Sequence, residues 1–432
     1  MTTFDRILPL VALVLRDFFP SLPEGSIFVN RDLNGRVRLV IRESLREDPP
    51  YRNLFSDLAS RLKEELGPHA APDESFLIFE KDMENARGGA PSFPLDGMET
   101  VLVVDRLVSE TPWNLIAPES TGAPRIVFFS VKGGVGRSTA LAVSAWSLAQ
   151  SGKKVLVLDL DLESPGLSAS LLPEDRRPQY GLVDWLVEDL VDNGNLVFDS
   201  MTATSLLSHD GEIYVVPAHG REPGEYVSKL GRIFMPKILP DGIRTCWSER
   251  LSRLIGSLEE RWKPDVVLLD SRAGIDEVAS ACVTSLGANL VLLFAVGGDQ
   301  TWSGYRILFD HWKRSGTIGQ IRENMQVVAA MLPDVGTRES FEALREQSYG
   351  LFLPTYDEIS PGEGRTDLWS FEETDETAPH YPWPILWNRG FSSLGSLHSR
   401  LESVDPREVG LVFGPLLDSL KTALQKEPSG NA

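Results

Sequence analysis

With 432 residues, 42% of them apolar and 24% charged, the chain has room for two or three domains and material for packed cores. No run of 18 apolar residues occurs, so a membrane span is not expected. The formal charge of −20 repels nucleic acid and anionic lipid at long range. It argues against a DNA-coating or membrane-riding surface, while leaving a basic protein partner open.

Residues 1–118 read as a small α+β domain of unassigned role. Apolar Ile7, Leu8, Val11, Val14, Leu15 and Phe18 fit one helix face over 4–18. Asp5 precedes this run, and Arg16 and Asp17 close it without a small-residue cleavage pattern, so it does not read as a signal peptide. Asn34-Gly35 between two alternating apolar runs predicts a hairpin closed by a type I′ turn. A second helix is predicted over 52–66, and strands over 76–79 and 100–104. The Pro/Gly/Ser-rich stretch 117–124 reads as a linker.

From 125 to about 350, apolar runs of strand length alternate with helical stretches. Strands apolar on both faces with helices between them predict a mostly parallel sheet covered on both sides, a three-layer α/β domain. Residues 351–432 form a third region, a Pro-, aromatic- and acid-rich flap followed by a helix over about 406–425. Its tryptophans Trp369, Trp383 and Trp387 suit packing against their own domain, with a partner surface as the alternative. Cys246 and Cys282 have neither disulfide-framework nor metal-site spacing and read as reduced, buried small residues of a cytoplasmic protein.

The segment RIVFFSVKGGVGRSTALAVSAW carries the chemistry. A strand runs into a glycine-rich loop, and a helix begins near Arg137. Such a junction points unpaired backbone N–H groups and the positive helix end at a phosphate. Gly133, Gly134 and Gly136 allow tight turning, and Val135 lies among them. Ser138 is placed to ligate Mg²⁺ and Thr139 to reach another phosphate oxygen. The ordinary P-loop pattern G-x-x-x-x-G-K-[ST] is missed twice, with Val131 for the first glycine and Arg137 for the lysine.

KGGVGRST closely resembles the deviant Walker A loop of the ParA/MinD-like ATPases, in a variant with arginine for the second lysine. The resemblance spans roughly 125–335 and implies a P-loop NTPase fold with ATP and Mg²⁺ as ligands. It implies that Lys132 reaches across a nucleotide-sandwich homodimer to the partner's phosphates. VLVLDLD resembles the family's second motif, so Asp161 would position the attacking water, and Asp159 matches a preceding acidic position with a structural role equally open. VVLLDSRAG resembles the Walker B and switch strand, so Asp270 would help hold Mg²⁺ and Gly274 would let the loop move. After the last core strand the family places adenine contacts, here Pro333 and Asp334. Arg272 fits contact with phosphate or a partner subunit, or a surface salt bridge, and Asp299 and Gln300 fit a ligand crevice at a strand's C-terminal end or an ordinary polar loop.

Arginine is larger than lysine, planar and bidentate, so Arg137 supports binding better than fast hydrolysis. Turnover is expected well below the enzyme median of about 10 s⁻¹. The reading is an ATP-dependent dimer that regulates a protein partner, with nucleic acid and membrane not expected. A DNA- or membrane-riding positioning ATPase and a pseudo-ATPase are the alternatives.

Overall fold

The computed structural model describes residues 2–18, 22–88, 90, 92–107, 112–239, 241–357, 368–391 and 397–425. Within the flap, 358–367 lies outside them. The chain divides into two compact units, Met1–Asn114 with Trp312–Thr317, and Leu115–His311 with Ile318–Ala432.

The first unit holds a five-stranded sheet in the order β3-β2-β1-β5-β4. Its strands are β1 (Ile27–Arg31), β2 (Val37–Arg42), β3 (Leu77–Glu80), β4 (Ser92–Leu95) and β5 (Met98–Asp105). Alternate residues Val29, Leu39, Ile41, Val101 and Val103 point to one face. There they pack on Val11 and Leu15 of the Ile7–Phe18 helix and on Phe55, Leu58 and Leu62 of the Pro49–Leu66 helix. β1 and β2 form the antiparallel hairpin, with Ile27 opposite Ile41. Its turn departs from type I′, which needs positive φ at both central residues. Only Gly35 has it, at 76°. The Asp32 carboxylate accepts from the N–H groups of Asn34 and Arg36, and Gly35 N–H donates to the Asp32 carbonyl. These bonds hold a wider loop in which Asn34 stays out of the left-handed region.

The second unit is built on an eight-stranded sheet ordered β15-β14-β13-β6-β12-β7-β9-β8. The strands are β6 (Arg125–Ser130), β7 (Lys154–Asp159), β8 (Ala203–Thr204), β9 (Glu212–Val216), β12 (Val266–Ala273), β13 (Leu290–Ala295), β14 (Met325–Leu332) and β15 (Trp383–Leu386). β10 (Lys237–Ile238) and β11 (Arg244–Thr245) make a separate small hairpin. All neighbours in the large sheet are parallel except β8, which runs antiparallel to β9. This is the α/β three-layer, mostly parallel architecture that the buried strands imply. On one face Ile126, Phe128, Val157 and Leu268 pack with the Arg137–Gln150 and Pro406–Ala423 helices. On the other, Phe129 meets Tyr305 of the Asp299–Arg314 helix edge to face.

The region from 351 onward is not set apart from this sheet. β15 extends it in parallel, with Trp383 beside Val328, and Phe413, Leu416 and Leu420 of the Pro406–Ala423 helix enter the same core. Short period and many prolines hid β15, an edge strand that tolerates Pro384. Residues 115–124 also belong here, since Ala117 and Ser120 N–H groups donate to the Thr284 and Gly287 carbonyls. Trp369 packs edge-on against Tyr356 and Phe371, with Arg322 over its ring at 4.5 Å. Among the described residues no helix is long and apolar enough to cross a membrane.

His380 is fully buried between the Tyr356 hydroxyl and the Glu373 carbonyl. Burial holds its pKa below the ordinary imidazole value of 6.5. The unfolded chain therefore takes a proton, below about pH 6.5, that the folded chain refuses, and stability is lost as pH falls. His380→Gln should flatten the acid side of the melting-temperature profile. The slope removed is at most about 1.4 kcal/mol per pH unit. Parallel acid profiles for parent and variant would exclude His380 as the source.

Candidate nucleotide site

β6 ends at Ser130 and the next helix begins at Arg137, leaving a six-residue loop over the C-terminal edge of the sheet. Gly134 and Gly136 have φ of 74° and 80°, which a side chain rarely adopts. Gly133 carries no such requirement. A cavity of about 320 Å³ opens above the loop, within the range of small-molecule sites. Gly133 to Thr139, Asp161 and Asp270 line it.

Arg137 organises the polar end. It is 7% exposed, and all three guanidinium nitrogens are engaged. Nε donates to Asp270 Oδ1 at 2.8 Å, Nη1 to Ser130 Oγ at 3.2 Å, and Nη2 to Asp161 Oδ2 at 3.2 Å. Burial opposes its charge, but Asp270 and Asp161 outweigh that and hold its pKa above the ordinary value. Parallel pairing of β12 with β7 sets Asp270 directly beside Asp159. Asp159 is fully buried, and burial together with the Asp270 charge pushes its carboxyl up to about 8. The Ser168 N–H donates to its Oδ2. Burial raises the Asp161 carboxyl as well, against the pull of Arg137.

Asp270 is 1% exposed, and its Oδ2 has no partner among the described residues. Asp270, with its orphaned carboxylate oxygen, and Ser138 both line this cavity, and such oxygen donors suit a hard cation. The residues present therefore fit Mg²⁺ with a phosphate ester.

Pro333 and Asp334 lie elsewhere. Pro333 lines a different cavity, and exposed Asp334 lines neither. The cavity over the glycine loop is also walled by Met331, Leu386, Trp387, Asn388, Phe391 and Phe413. Sequence reasoning missed this wall, although its signal was the aromatic PWPILWN stretch that contains Trp387. Lys132 is exposed and does not line the cavity. Arg272 is latched to Glu163 at 2.6 Å and to Asp276 at 3.3 Å, and Asp299 and Gln300 open an exposed helix turn. Tyr226, also missed, donates its hydroxyl to the Leu162 carbonyl at 2.7 Å and braces the loop that carries Asp161.

The model of the CobQ/CobB/MinD/ParA nucleotide binding domain matches residues 126–358, more than half of the chain. The chain belongs to this family. The septum site-determining protein MinD of Escherichia coli K12 is 32% identical over 116 residues, 27% of this chain and 38% of that protein. A putative arsenical pump-driving ATPase 1 of Aquifex aeolicus is 43% identical over 67 residues, 15% of this chain and 17% of that protein. The chain thus spans well under half the length of these relatives. Among solved structures, a ParA family ATPase from Chlorobium tepidum aligns at TM-score 0.44 and 15% identity, over 71% of this chain and 100% of that one. The pNOB8 ParA bound to nonspecific DNA aligns at 0.42 and 18%, over 70% and 97%. As a MinD/ParA-type P-loop domain, the second unit has its glycine loop at the C-terminal edge of a parallel sheet, where ligands bind in open α/β folds.

Proposed function

We propose that this chain binds Mg-ATP at the 133–139 loop and hydrolyses it slowly, as a dimerising switch that regulates a protein partner. The observation that supports this most is Arg137, a single buried cation shared by the Asp270 and Asp161 carboxylates at the mouth of a phosphate-sized loop. Triphosphate oxygens compete for that guanidinium. Binding would draw Arg137 off both carboxylates at once, freeing Asp270 to hold Mg²⁺ with Ser138 and Asp161 to accept from the attacking water. Bound Mg²⁺ supplies charge that offsets the β- and γ-phosphates. The Gly133–Thr139 backbone holds the phosphates, while the wall of Met331 and Trp387 receives the rest of the nucleotide in place of Pro333 and Asp334. Gly274, at φ of 112°, gives the segment after Asp270 room to move.

Calorimetry with and without Mg²⁺ tests the central claim. Micromolar to submillimolar ATP binding that weakens without Mg²⁺ is the expected result, and no binding at millimolar nucleotide would refute it. Binding with no turnover would leave the pseudo-ATPase reading.

Lys132 faces solvent rather than its own cavity, which suits a role across a dimer interface. Light scattering should show a dimer with ATP and a monomer without, and Lys132→Ala should remain monomeric with ATP. Equal masses in every state would sink the sandwich model. The preference for a protein partner over DNA or membrane rests on the net charge of −20 alone. A salt-sensitive gel shift by ATP-bound protein, or its sedimentation with anionic vesicles, would put the positioning ATPase first.

A further inference from the structure

Between β9 and the Trp247–Trp262 helix the chain turns large apolar side chains toward water. Val227, Met235, Ile238 and Ile243 are 83%, 54%, 72% and 58% exposed, and Phe234 is exposed as well. The backbone that carries them is nevertheless pinned. Arg250, fully buried, donates to the Met235 carbonyl at 2.9 Å, and Lys237 donates to Asp189 at 3.2 Å. β10 and β11 then close as a hairpin with Ile238 opposite Arg244. Burial of its own apolar groups is not what orders this segment, and clustered exposed apolar side chains mark interaction surfaces.

The segment is tied at both ends to the nucleotide site. Tyr226 opens it and donates to the carbonyl of Leu162, the residue after Asp161. At the other end Trp247 meets Phe234 edge to face and donates its indole N–H to Glu277, on the stretch that follows Gly274.

Charge says what kind of partner fits. Residues 226–245 hold four basic side chains and one acid, Asp241, in a chain of net charge −20. Lys229 and Lys237 turn to Asp184 and Asp189, while Arg232 and Arg244 stay exposed. Phe, Met and Arg are the residue types enriched at protein interfaces. An anionic bilayer suits the segment less well, since Asp241 stands exposed at the hairpin turn and the field of the whole chain repels such a surface.

We infer that residues 226–245 are the docking surface for an amphipathic helix of a protein partner, apolar on one face and acidic along its flanks. The apolar face covers Met235, Ile238 and Ile243, and the flanking carboxylates meet Arg232 and Arg244. Complementary charge then fixes how the helix lies and speeds its encounter with the surface. The inference rests on the protein-partner reading above and needs no bound nucleotide.

The test titrates the full, nucleotide-free chain against a fluorescein-labelled peptide of about 18 residues, with leucine at helical spacing and glutamate elsewhere, followed by anisotropy. Saturable binding with a midpoint on the order of 10–100 μM is the expected result. Ile238→Ser and Arg232→Glu, both at exposed positions, should each weaken it by about tenfold or more. The same peptide with lysine for glutamate should respond to neither change. Absence of saturation, or equal midpoints in parent and variants, would overturn the docking surface. So would sedimentation with phosphatidylserine vesicles, or self-association by light scattering, that Ile238→Ser abolishes, since either gives the segment a different occupant. The protein-partner reading fails separately, through DNA or vesicle binding that neither variant alters.

Discussion

Arg137→Ala should destabilise the nucleotide-free protein by about 3–5 kcal/mol, the usual cost of removing one partner from a buried ion pair. The side chain it removes is the cation that Asp270 and Asp161 share, 2.8 and 3.2 Å away. Asp159 sits beside Asp270, so three acidic side chains would be left together with no cation among them. Mg²⁺ should recover part of the lost stability, because the exposed oxygens then have a cation to hold. ATP affinity should fall roughly 10- to 100-fold, the worth of one or two charge-assisted hydrogen bonds. Arg137→Lys should retain most of the ATP affinity and only part of the stability, since an ammonium cannot span Asp270, Ser130 and Asp161 together. Thermal unfolding with and without Mg²⁺, followed by calorimetry, reads all of these. An alanine variant that melts like the parent would show that the shared ion pair contributes nothing.

Asp161→Asn should slow ATP turnover by about 10²- to 10⁴-fold, the range for removing a positioned acid–base group. ATP affinity should change only a few-fold. Asparagine keeps an oxygen to accept from the Ser164 N–H, so the loop after β7 retains its shape. The loss then belongs to the carboxylate charge rather than to the fold of the segment. Single-turnover hydrolysis measured beside equilibrium binding separates the two effects. If affinity and turnover fall together, Asp161 binds nucleotide rather than orienting water. If neither moves, the resemblance has been carried to the wrong acid.

The phosphate loop was legible because its determinants are local. A buried strand, glycines at the two positive-φ positions and a helix start lie within a dozen residues, Phe128 to Thr139. The parallel sheet was legible for a related reason, since strands buried on both faces leave continuous apolar runs. The hairpin at Asn34-Gly35 was readable as a hairpin but not as a turn type. Side-chain bonds from Asp32, which no dipeptide rule includes, decided between loops of similar energy.

Chain order does not state how separated residues converge. Arg137 and Asp270 are 133 residues apart, and only the β6–β12 pairing sets Asp270 beside Phe128 at the base of the loop. From sequence, Arg137 was a phosphate ligand in place of lysine. Folded, it also neutralises buried carboxylates, because its planar fork is long enough to reach two strands. The apolar wall of the pocket comes from β14, β15 and the Pro406–Ala423 helix. Those elements meet because the sheet edge beyond β14 must be covered, a demand set by unpaired backbone groups and not by any motif. The sequence by itself determined the phosphate cradle and the sheet that carries it, since both arise from local backbone preference and burial pattern. Only the tertiary structure decided that Trp387 rather than Pro333 lines the cavity over the glycine loop, because that choice depends on how a distant edge strand packs.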